Sequence, residues 1–342
     1  MDHILTVVKR GQTIESVHQG HIAIVDSSGQ LLYAAGNPSH RTFARSALKP
    51  LQAFPLITSG AAEHFLLNDK ELAICCGSHN GEDMHVQTVR SILYRLGLEE
   101  GGLQCGAHLP YDESSSHELL RRGVQPGAAH NNCSGKHAGM LALALNLHSD
   151  IERYHEQEHP VQRLIASALG EMTGMTEGDW EVGIDGCGVP TYSFPLDKLA
   201  LLYARFAEPS RLPKGRHQQA ARQIAKAMTS YPEMVAGTNI LDTDLMRMTG
   251  GDIIAKGGAE GVYAMGIVSR GIGIAIKVDD GNLRAAYPAA VEILSQLNLI
   301  DADMKSQLDS YWHPVIRNRR GEAVGAIEPV LRLTAAQRDM LG

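Results

Sequence analysis

The runs of β-forming residues in this chain of 342 residues lie far apart. Near the start, His21–Val25 and Leu31–Tyr33 flank a turn sequence and predict a hairpin. Later in the chain, the ranges 252–256, 262–268 and 271–278 predict three strands with short glycine-bearing connections, which is typical of an antiparallel meander. Two early and three late strands form one sheet only if the two ends of the chain meet. The long middle is then an insertion.

The middle of the chain, about 41–249, is predicted to be mostly helical. Asn80 can cap a helix that reaches about Leu96, with charged residues in its first turn. We therefore predict an α+β fold of one domain over 1–342, in which an antiparallel sheet of about five strands is flanked by helices and joined to a mostly helical lobe. The sheet strands are expected within about 1–40 and 250–300, and further helices at about 134–147, 160–169, 196–206, 218–228 and 284–297.

Composition restricts the class of protein. A hydrophobic content of 44% and a charged content of 20% are typical of a folded globular chain. The net charge of −7 argues against nucleic acid as the main partner. The sequence has no run of about 18 apolar residues, so no membrane span is predicted. The first residues do not resemble a signal peptide, and we therefore expect a cytoplasmic protein. The five cysteines are then expected as reduced thiols or metal ligands.

Three short motifs occur in chain order, namely S-x-x-K at 46–49, S-x-N at 78–80 and K-x-G at 256–258. This order is that of serine-acylating enzymes of the penicillin-recognising type. A serine hydroxyl is a poor nucleophile until a base takes its proton. A lysine one helical turn away can be that base if burial or a second cation lowers its pKa. The sequence therefore predicts two catalytic couples, Ser46 with Lys49 and Ser78 with Lys256.

Each motif also has a plain structural interpretation. Ser78 and Asn80 fit a loop residue and a helix cap equally well, and Lys256 fits a solvated lysine at the end of a strand. Gly257 and Gly258 favour a site, because glycines let a substrate approach the backbone closely.

Two prolines follow the first motif. Pro50 and Pro55 are tolerated only near the start of a helix, so this helix is expected to begin late, with Ser46 at its mouth. The positive end of the helix dipole would favour an oxyanion there.

A further group of residues has the chemistry of a metal site. Cys133 and His137 are one helical turn apart, and Cys187 lies in a glycine-rich loop after a predicted strand. Two thiolates and a nitrogen would form a zinc site with an open position. The alternative is that these cysteines are small buried hydrophobic residues, as we expect for the adjacent Cys75 and Cys76.

Longer stretches around these residues carry more information, and they are 46–50, 75–82, 130–137, 185–190 and 256–261. They resemble the rhizobial-type, or class 3, L-asparaginase family, and the similarity extends over nearly the whole chain. The resemblance implies a fold like that of penicillin-binding proteins and serine β-lactamases. It also implies hydrolysis of L-asparagine to L-aspartate and ammonia by a homodimer.

The resemblance extends to individual residues. The paired serine–lysine centres of the family map onto the four catalytic candidates. Its Zn²⁺ ligands map onto Cys133, Lys136 and Cys187 with a water molecule, which makes His137 a neighbour of the metal instead of a ligand. Lysine must lose its proton to bind a metal, and two thiolates on Zn²⁺ would make that loss easier. The candidate substrate-binding residues are Arg45, His137, Asp185, Asn80, Gly257 and Gly258.

We expect an acyl-enzyme mechanism, in which neutral Lys49 activates Ser46 while Ser78 and Lys256 relay a proton to the leaving ammonia. Two other functions stay open. The order of the motifs also fits a β-lactamase or D-alanyl peptidase, although those enzymes act outside the cytoplasm. The cysteines alone would fit a non-catalytic zinc-binding regulator.

Overall fold

The computed structural model describes residues 3–336. The strands are β1 (Ile4–Arg10), β2 (Thr13–Asp26), β3 (Leu31–Ala35), β4 (Arg41–Phe43), β5 (Glu181–Ile184), β6 (Pro190–Pro195), β7 (Ile253–Gly258), β8 (Val262–Ile267), β9 (Ile272–Val278), β10 (Val315–Arg317), β11 (Ala323–Pro329) and β12 (Thr334–Ala335). The α-helices are α1 (Lys49–Thr58), α2 (Ala61–His64), α3 (Asp69–Cys75), α4 (Asp83–Leu96), α5 (Glu113–Arg121), α6 (Ser134–Asn146), α7 (Pro160–Thr173), α8 (Leu196–Ala207), α9 (Arg216–Ser230), α10 (Pro232–Ala236), α11 (Leu241–Met248), α12 (Leu283–Gln296), α13 (Ala302–Gln307) and α14 (Asp309–Trp312). Within 3–336, no helix has the length and apolar character needed to cross a membrane.

The main sheet has nine strands and brings the early and late parts of the chain together. Its path runs β10-β11-β1-β2-β9-β8-β7, while β3 pairs with β2 and β12 with β3. Strands β2 and β9 are antiparallel, with Ile22 opposite Ile276 and Ala23 opposite Ala275. Successive residues of a strand point to opposite faces, and all four are fully buried, so the sheet is covered on both sides here. The predicted pairing of early with late strands is confirmed.

The sheet is larger than the predicted five strands and includes strands beyond residue 300. A tight turn joins β1 to β2, and Gly11 supplies its positive φ of 56°. Strand β11 pairs with β1 on the opposite side from β2. Most of β11 is only half-buried, and its alanine, glycine, glutamate and proline have weak strand preference. Pairing with β1, which is a tertiary contact, makes this segment a strand.

Helices cover the sheet and fill the middle of the chain. Helix α8 packs against β2, β8 and β9, and α12 packs against β1, β8, β9 and β11. At Gly273 the sheet lies so close to α8 that a Cβ atom would come within 1.8 Å of the Ala200 carbonyl oxygen. Helices α1, α3, α6 and α9 pack on one another in the helical lobe, and a second sheet of order β4-β6-β5 contacts α8 through β6. The predicted α+β class is confirmed.

The segment that carries the first motif changes geometry at Lys49. Residues Arg45–Leu48 form a short 3₁₀ turn, and α1 begins at Lys49 with Pro50 in its first turn. Pro55 lies inside α1, so the expectation that both prolines stand near the start of the helix is wrong for Pro55. The predicted late start of this helix is confirmed, with Ser46 at its mouth. Arg45 has a φ of 48°, a left-handed conformation that is uncommon for a residue with a side chain.

One predicted helix cap is wrong. Helix α4 begins at Asp83 with Glu82, not Asn80, as its cap residue. The Glu82 carboxylate is occupied by Thr238, whose N–H and hydroxyl both donate to Oε1. Asn80 belongs to the preceding loop, where its carbonyl oxygen accepts the Asp112 N–H at 2.9 Å.

Candidate active site

A cavity of about 330 Å³ is lined by residues from all three motifs. Ser46 reaches it from the turn before α1, Ser78 and Asn80 from the loop between α3 and α4, and Lys256–Gly258 from β7. Segments far apart in the chain therefore meet around one space. The remaining lining residues are Tyr111, Asn132, Ala236, Ile240, Asp242, Ala259, Leu283 and Tyr287.

Lys49 connects the first two motifs. Its Nζ donates a hydrogen bond to Ser78 Oγ at 2.7 Å and another to the Asn132 carbonyl oxygen at 3.3 Å. Lys49 is only 1% exposed. The sequence paired Lys49 with Ser46 and Ser78 with Lys256, whereas the hydrogen bond joins Lys49 to Ser78. The reason is the late start of α1, because Ser46 and Lys49 do not share one regular α-helical turn.

Lys256 lies beside a carboxylate that sequence reasoning missed. Its Nζ is 3.9 Å from Asp242 Oδ1 and donates a hydrogen bond to the Gly257 carbonyl oxygen at 2.6 Å. The same Asp242 oxygen accepts the Gly257 N–H. Both charged side chains are 2% exposed. In the sequence, Asp242 looks like an ordinary acidic residue in the first turn of a helix, so no local signal distinguishes it.

Burial lowers the pKa values of Lys49 and Lys256, since it disfavours the charged amine. For Lys49, the Cys133 sulfur opposes the effect of burial and the Lys136 cation adds to it, and the pKa stays lowered. For Lys256, burial lowers the pKa to about 8, with Asp242 opposing the shift and Lys49 adding to it. A lowered pKa favours the neutral amine, which is the form that can take a proton.

The predicted zinc ligands meet next to Lys49. Lys136 Nζ donates a hydrogen bond to Cys187 Sγ at 3.0 Å. The interaction between the neighbouring sulfurs lowers the pKa of Cys133 and raises the pKa of Cys187. All three residues are buried. Two cysteine sulfurs are donors that zinc prefers, and the Lys136 amine can be a third donor once it has lost its proton, so these residues fit the ion.

The remaining neighbour of this cluster is already engaged elsewhere. His137 Nδ1 lies 2.7 Å from the Tyr154 hydroxyl, which also accepts the Gln104 N–H at 2.9 Å. Among the described residues, His137 Nε2 has no hydrogen-bond partner. Burial and the adjacent Lys136 cation lower the pKa of His137, so its ring is neutral. His137 does not line the cavity in the described part of the chain, and its contribution to substrate binding stays a prediction.

Arg45 and Asp185 are brought together at the side of the site. The Arg45 guanidinium donates to Asp185 Oδ1 through Nε and Nη2, both at 3.0 Å, and its Nη1 lies 3.9 Å from Glu260. Burial raises the pKa of Asp185, but the Lys136 and Arg45 cations and the Gly186 N–H lower it by more. The predicted role of this ion pair in substrate binding stays a prediction.

Asn80, Gly257 and Gly258 all line the cavity. Within the described residues, the Asn80 Oδ1 atom is buried without a hydrogen-bond partner. A Cβ atom at Gly258 would lie 3.1 Å from the Ala44 carbonyl oxygen and 3.2 Å from the Ala47 nitrogen. Glycine at 258 thus allows β7 to pack closely on the turn that carries Ser46.

His79, inside the second motif, has a structural role. It is fully buried, its Nδ1 accepts the Gly81 N–H at 3.2 Å, and its Nε2 lies 2.9 Å from Ser134 Oγ. Its ring stacks on His85 with the centroids 4.8 Å apart. These contacts fix the loop that presents Ser78.

Sequence reasoning also missed several other cavity residues. Tyr111 is 68% exposed and stacks on His108, whose Nε2 accepts the Asn132 N–H at 3.0 Å. Leu283 and Tyr287 come from the first turns of α12. None of these residues has a distinctive sequence pattern. Asn132, another cavity residue, is the exception, because it lies inside the stretch 130–137 that carries the family resemblance.

The chain matches the L-asparaginase II family model over residues 6–329. None of the curated proteins compared with the chain matches it. Among solved structures it is similar to Mglu in its native form, at 16% identity and a TM-score of 0.46, over 83% of this chain and 66% of that chain. It is also similar to a β-lactamase from Mycobacterium bovis, at 12% identity and a TM-score of 0.43, over 81% of this chain and 94% of that chain.

A D-alanine carboxypeptidase from Burkholderia cenocepacia is similar at 15% identity and a TM-score of 0.39, over 81% of this chain and 93% of that chain. The chain spans slightly less than two thirds of the length of Mglu. The family match is stronger evidence than these structural similarities, because it covers both halves of the main sheet and all three motifs. The chain therefore belongs to the L-asparaginase II family of amidohydrolases.

Proposed function

We propose that this protein is an L-asparaginase that hydrolyses L-asparagine to L-aspartate and ammonia through a serine acyl-enzyme. Membership of the L-asparaginase II family supports the type of reaction. The observation that carries the mechanism is the 2.7 Å hydrogen bond from Lys49 to Ser78, in a cavity wall that also contains Ser46 and Lys256. A buried amine beside a hydroxyl is the arrangement that serine–lysine catalysis requires.

In the proposed acylation step, Ser46 attacks the side-chain amide carbon of asparagine. Neutral Lys49 takes the Ser46 proton as the Oγ–carbon bond forms. The hydrogen bond from Lys49 to Ser78 then gives that proton a path to the leaving nitrogen, through the Ser78 hydroxyl. Cleavage of the carbon–nitrogen bond releases ammonia and leaves a β-aspartyl ester on Ser46.

In the proposed deacylation step, a water molecule enters from the cavity. Lys49, neutral again, takes a proton from the water as its oxygen attacks the ester carbon. The Ser46 oxygen leaves and recovers its proton from Lys49, so aspartate is released and the enzyme returns to its first state. The same base therefore serves both halves of the reaction.

The charged ends of asparagine need partners of opposite charge. We propose that the α-carboxylate is held by Arg45 and the α-ammonium by acceptors that include Asp185 and Asn80. Asn80 lines the cavity and its buried Oδ1 has no hydrogen-bond partner within the described residues, which supports the second assignment. Gly257 and Gly258 leave the β7 backbone accessible to the substrate.

We propose Zn²⁺ as the cofactor, with Cys133, Lys136 and Cys187 as its protein ligands. The ion would join the start of α6 to the loop after β5 and help to orient the substrate. Catalysis by serine and lysine does not need a metal-activated nucleophile. What the chain itself supplies is a buried set of two sulfurs and one amine adjacent to the proposed base.

The test is release of ammonia from L-asparagine by the purified protein. Ser46→Ala is expected to lower kcat by roughly 10³-fold or more, as for a nucleophile. Ser167→Ala is a matched control, because Ser167 lies on the exposed side of α7 and contacts only Glu171 among the described residues. A chromogenic β-lactam, offered in parallel, distinguishes the rival hydrolase. Turnover of the β-lactam without release of ammonia would overturn the proposal, and so would no turnover of either substrate.

We also propose that the protein works as a homodimer in the cytoplasm. Light scattering on the eluting protein measures the mass against 37.0 kDa for one chain. A mass near one chain would contradict the dimer.

A further inference from the structure

We infer that Asp242 is a positioning residue for catalysis, which holds Lys256 in place and keeps it protonated as the cationic partner of the reacting groups. This inference rests on the proposed function. It gives the two buried lysines different tasks, since Lys49 is the proposed base and Lys256 is the cation. Asp242 itself acts through Lys256.

The geometry identifies Lys256 as the ionic partner of Asp242. Their charged atoms, Oδ1 and Nζ, are 3.9 Å apart, and both side chains are 2% exposed. A buried carboxylate without a cation is strongly unfavourable, and Lys256 is its partner within the described residues. The Tyr263 hydroxyl also lies beside Asp242, but it carries no charge, so Lys256 remains the group that offsets the buried carboxylate within the described residues.

A second set of contacts fixes where Lys256 points. Asp242 Oδ1 accepts the Gly257 N–H, while Lys256 Nζ donates to the Gly257 carbonyl oxygen at 2.6 Å. The carboxylate therefore holds both the lysine and the backbone of the next residue on β7. Helix α11 packs against β7, so Asp242 reaches this position from a rigid element.

The charged and titratable groups around the pair favour this assignment. From α1 and the start of α6, Lys49 and Cys133 act on Lys256, and Cys76 acts on it from the end of α3. Once Lys49 has taken a proton, its positive charge lowers the pKa of Lys256, and Asp242 opposes this more strongly than Cys133 or Cys76. Burial, together with the Asp242 charge, raises the pKa values of four nearby tyrosines, which are Tyr203, Tyr263, Tyr287 and Tyr311.

Asp242→Asn tests the charge with little change of shape. The amide oxygen can still accept the Gly257 N–H, so the strand keeps its contact. Removal of an opposite charge at this distance lowers a pKa by about 1 unit or more. Lys256, with a pKa of about 8 in the native protein, would then lose its proton at a lower pH.

The expected readout is a rate ratio that depends on pH. Both proteins hold a protonated Lys256 at pH 6, so their kcat/KM values for asparagine should agree within about twofold. At pH 9 the variant should be about tenfold slower or more, because a one-unit shift changes the protonated fraction by that factor. A purely structural defect would lower activity equally at both pH values and would overturn the inference.

Asp244→Asn is the matched control, since it lies on the same helix but contacts Tyr311 and Arg247 away from the cavity. Its rate ratio to the native protein should not vary with pH. The Lys256 side-chain resonance, assigned with Lys256→Arg in protein carrying labelled lysine, gives a readout that does not depend on turnover. A lower pKa in Asp242→Asn supports the inference and an unchanged pKa overturns it. Absence of asparagine hydrolysis by the native protein would instead reject the proposed function.

Discussion

Lys49 Nζ donates a hydrogen bond to Ser78 Oγ across 29 positions of sequence, from the first residue of α1 to a loop after α3. This bond makes Ser78 the direct hydroxyl partner of the buried amine, while Ser46 stands at the wall of the same cavity. A neutral amine that takes a proton in the first half of the reaction can pass it on through the hydroxyl to which it is hydrogen-bonded. Replacement of each serine by alanine should therefore slow a different step of the reaction.

Ser46→Ala should abolish formation of the acyl-enzyme, because it removes the nucleophile. Ser78→Ala should leave the nucleophile but slow departure of ammonia, with a loss of kcat of roughly 10²-fold or more. Mass spectrometry after rapid acid quench detects the β-aspartyl adduct. The adduct is expected on Ser46 in the native protein and in Ser78→Ala. An adduct on Ser78 would reverse the assignment of the two serines.

Removal of Cys187 should abolish zinc binding, because it removes one of the two sulfur donors. We expect about one zinc per chain in the native protein and a background level in Cys187→Ser, measured by elemental analysis. Zinc uptake should weaken at low pH, since the ligands must lose protons to bind. Cys105→Ser is the matched control, because that buried thiol donates to the Ala128 carbonyl oxygen and belongs to no predicted ligand set. Equal zinc content in both variants would reject the proposed site.

Tyr203→Phe should destabilise the turn that carries Ser46. The Tyr203 hydroxyl is fully buried on α8 and donates to the Ala47 carbonyl oxygen at 2.7 Å. Removing the donor leaves that carbonyl unsatisfied, which costs about 1–3 kcal/mol in the free energy of unfolding. Urea denaturation measures the loss. Tyr94→Phe, at a residue that is 88% exposed, should change stability by less than about 0.5 kcal/mol, and an equal loss in both would contradict this account.

Arg45→Lys should raise KM for asparagine about tenfold or more while kcat changes little, if the guanidinium binds the α-carboxylate in two-point fashion. The lysine keeps the positive charge and a similar backbone preference at the left-handed φ of 48°. Steady-state kinetics separate the two constants. Arg41→Lys is the control, because Arg41 donates only to backbone carbonyls of Asp179 and Ser193 in the described structure. A fall in kcat at constant KM would point to a role in the chemical steps instead.

Much of the fold follows from the pattern of the sequence. The meander of β7, β8 and β9 lies within two residues of its predicted ranges, because alternating burial and glycine turns act over short distances. Strands β1 and β11 were missed for different reasons. The hairpin of β1 depends on a single glycine turn, and β11 has weak strand preference of its own and is stabilised by the neighbour it pairs with.

Short stretches of the sequence were enough to predict the side chains that carry the proposed chemistry, since serine, lysine and cysteine in a recognisable order are local features. They were also enough to predict that early and late strands share a sheet. The hydrogen bond from Lys49 to Ser78 and the place of Asp242 beside Lys256 became visible only in the folded chain. The first contact depends on the packing of α1 in the helical lobe, and the second depends on the packing of α11 against β7. Packing between elements that are far apart in the chain leaves no local sequence pattern from which the partners can be predicted.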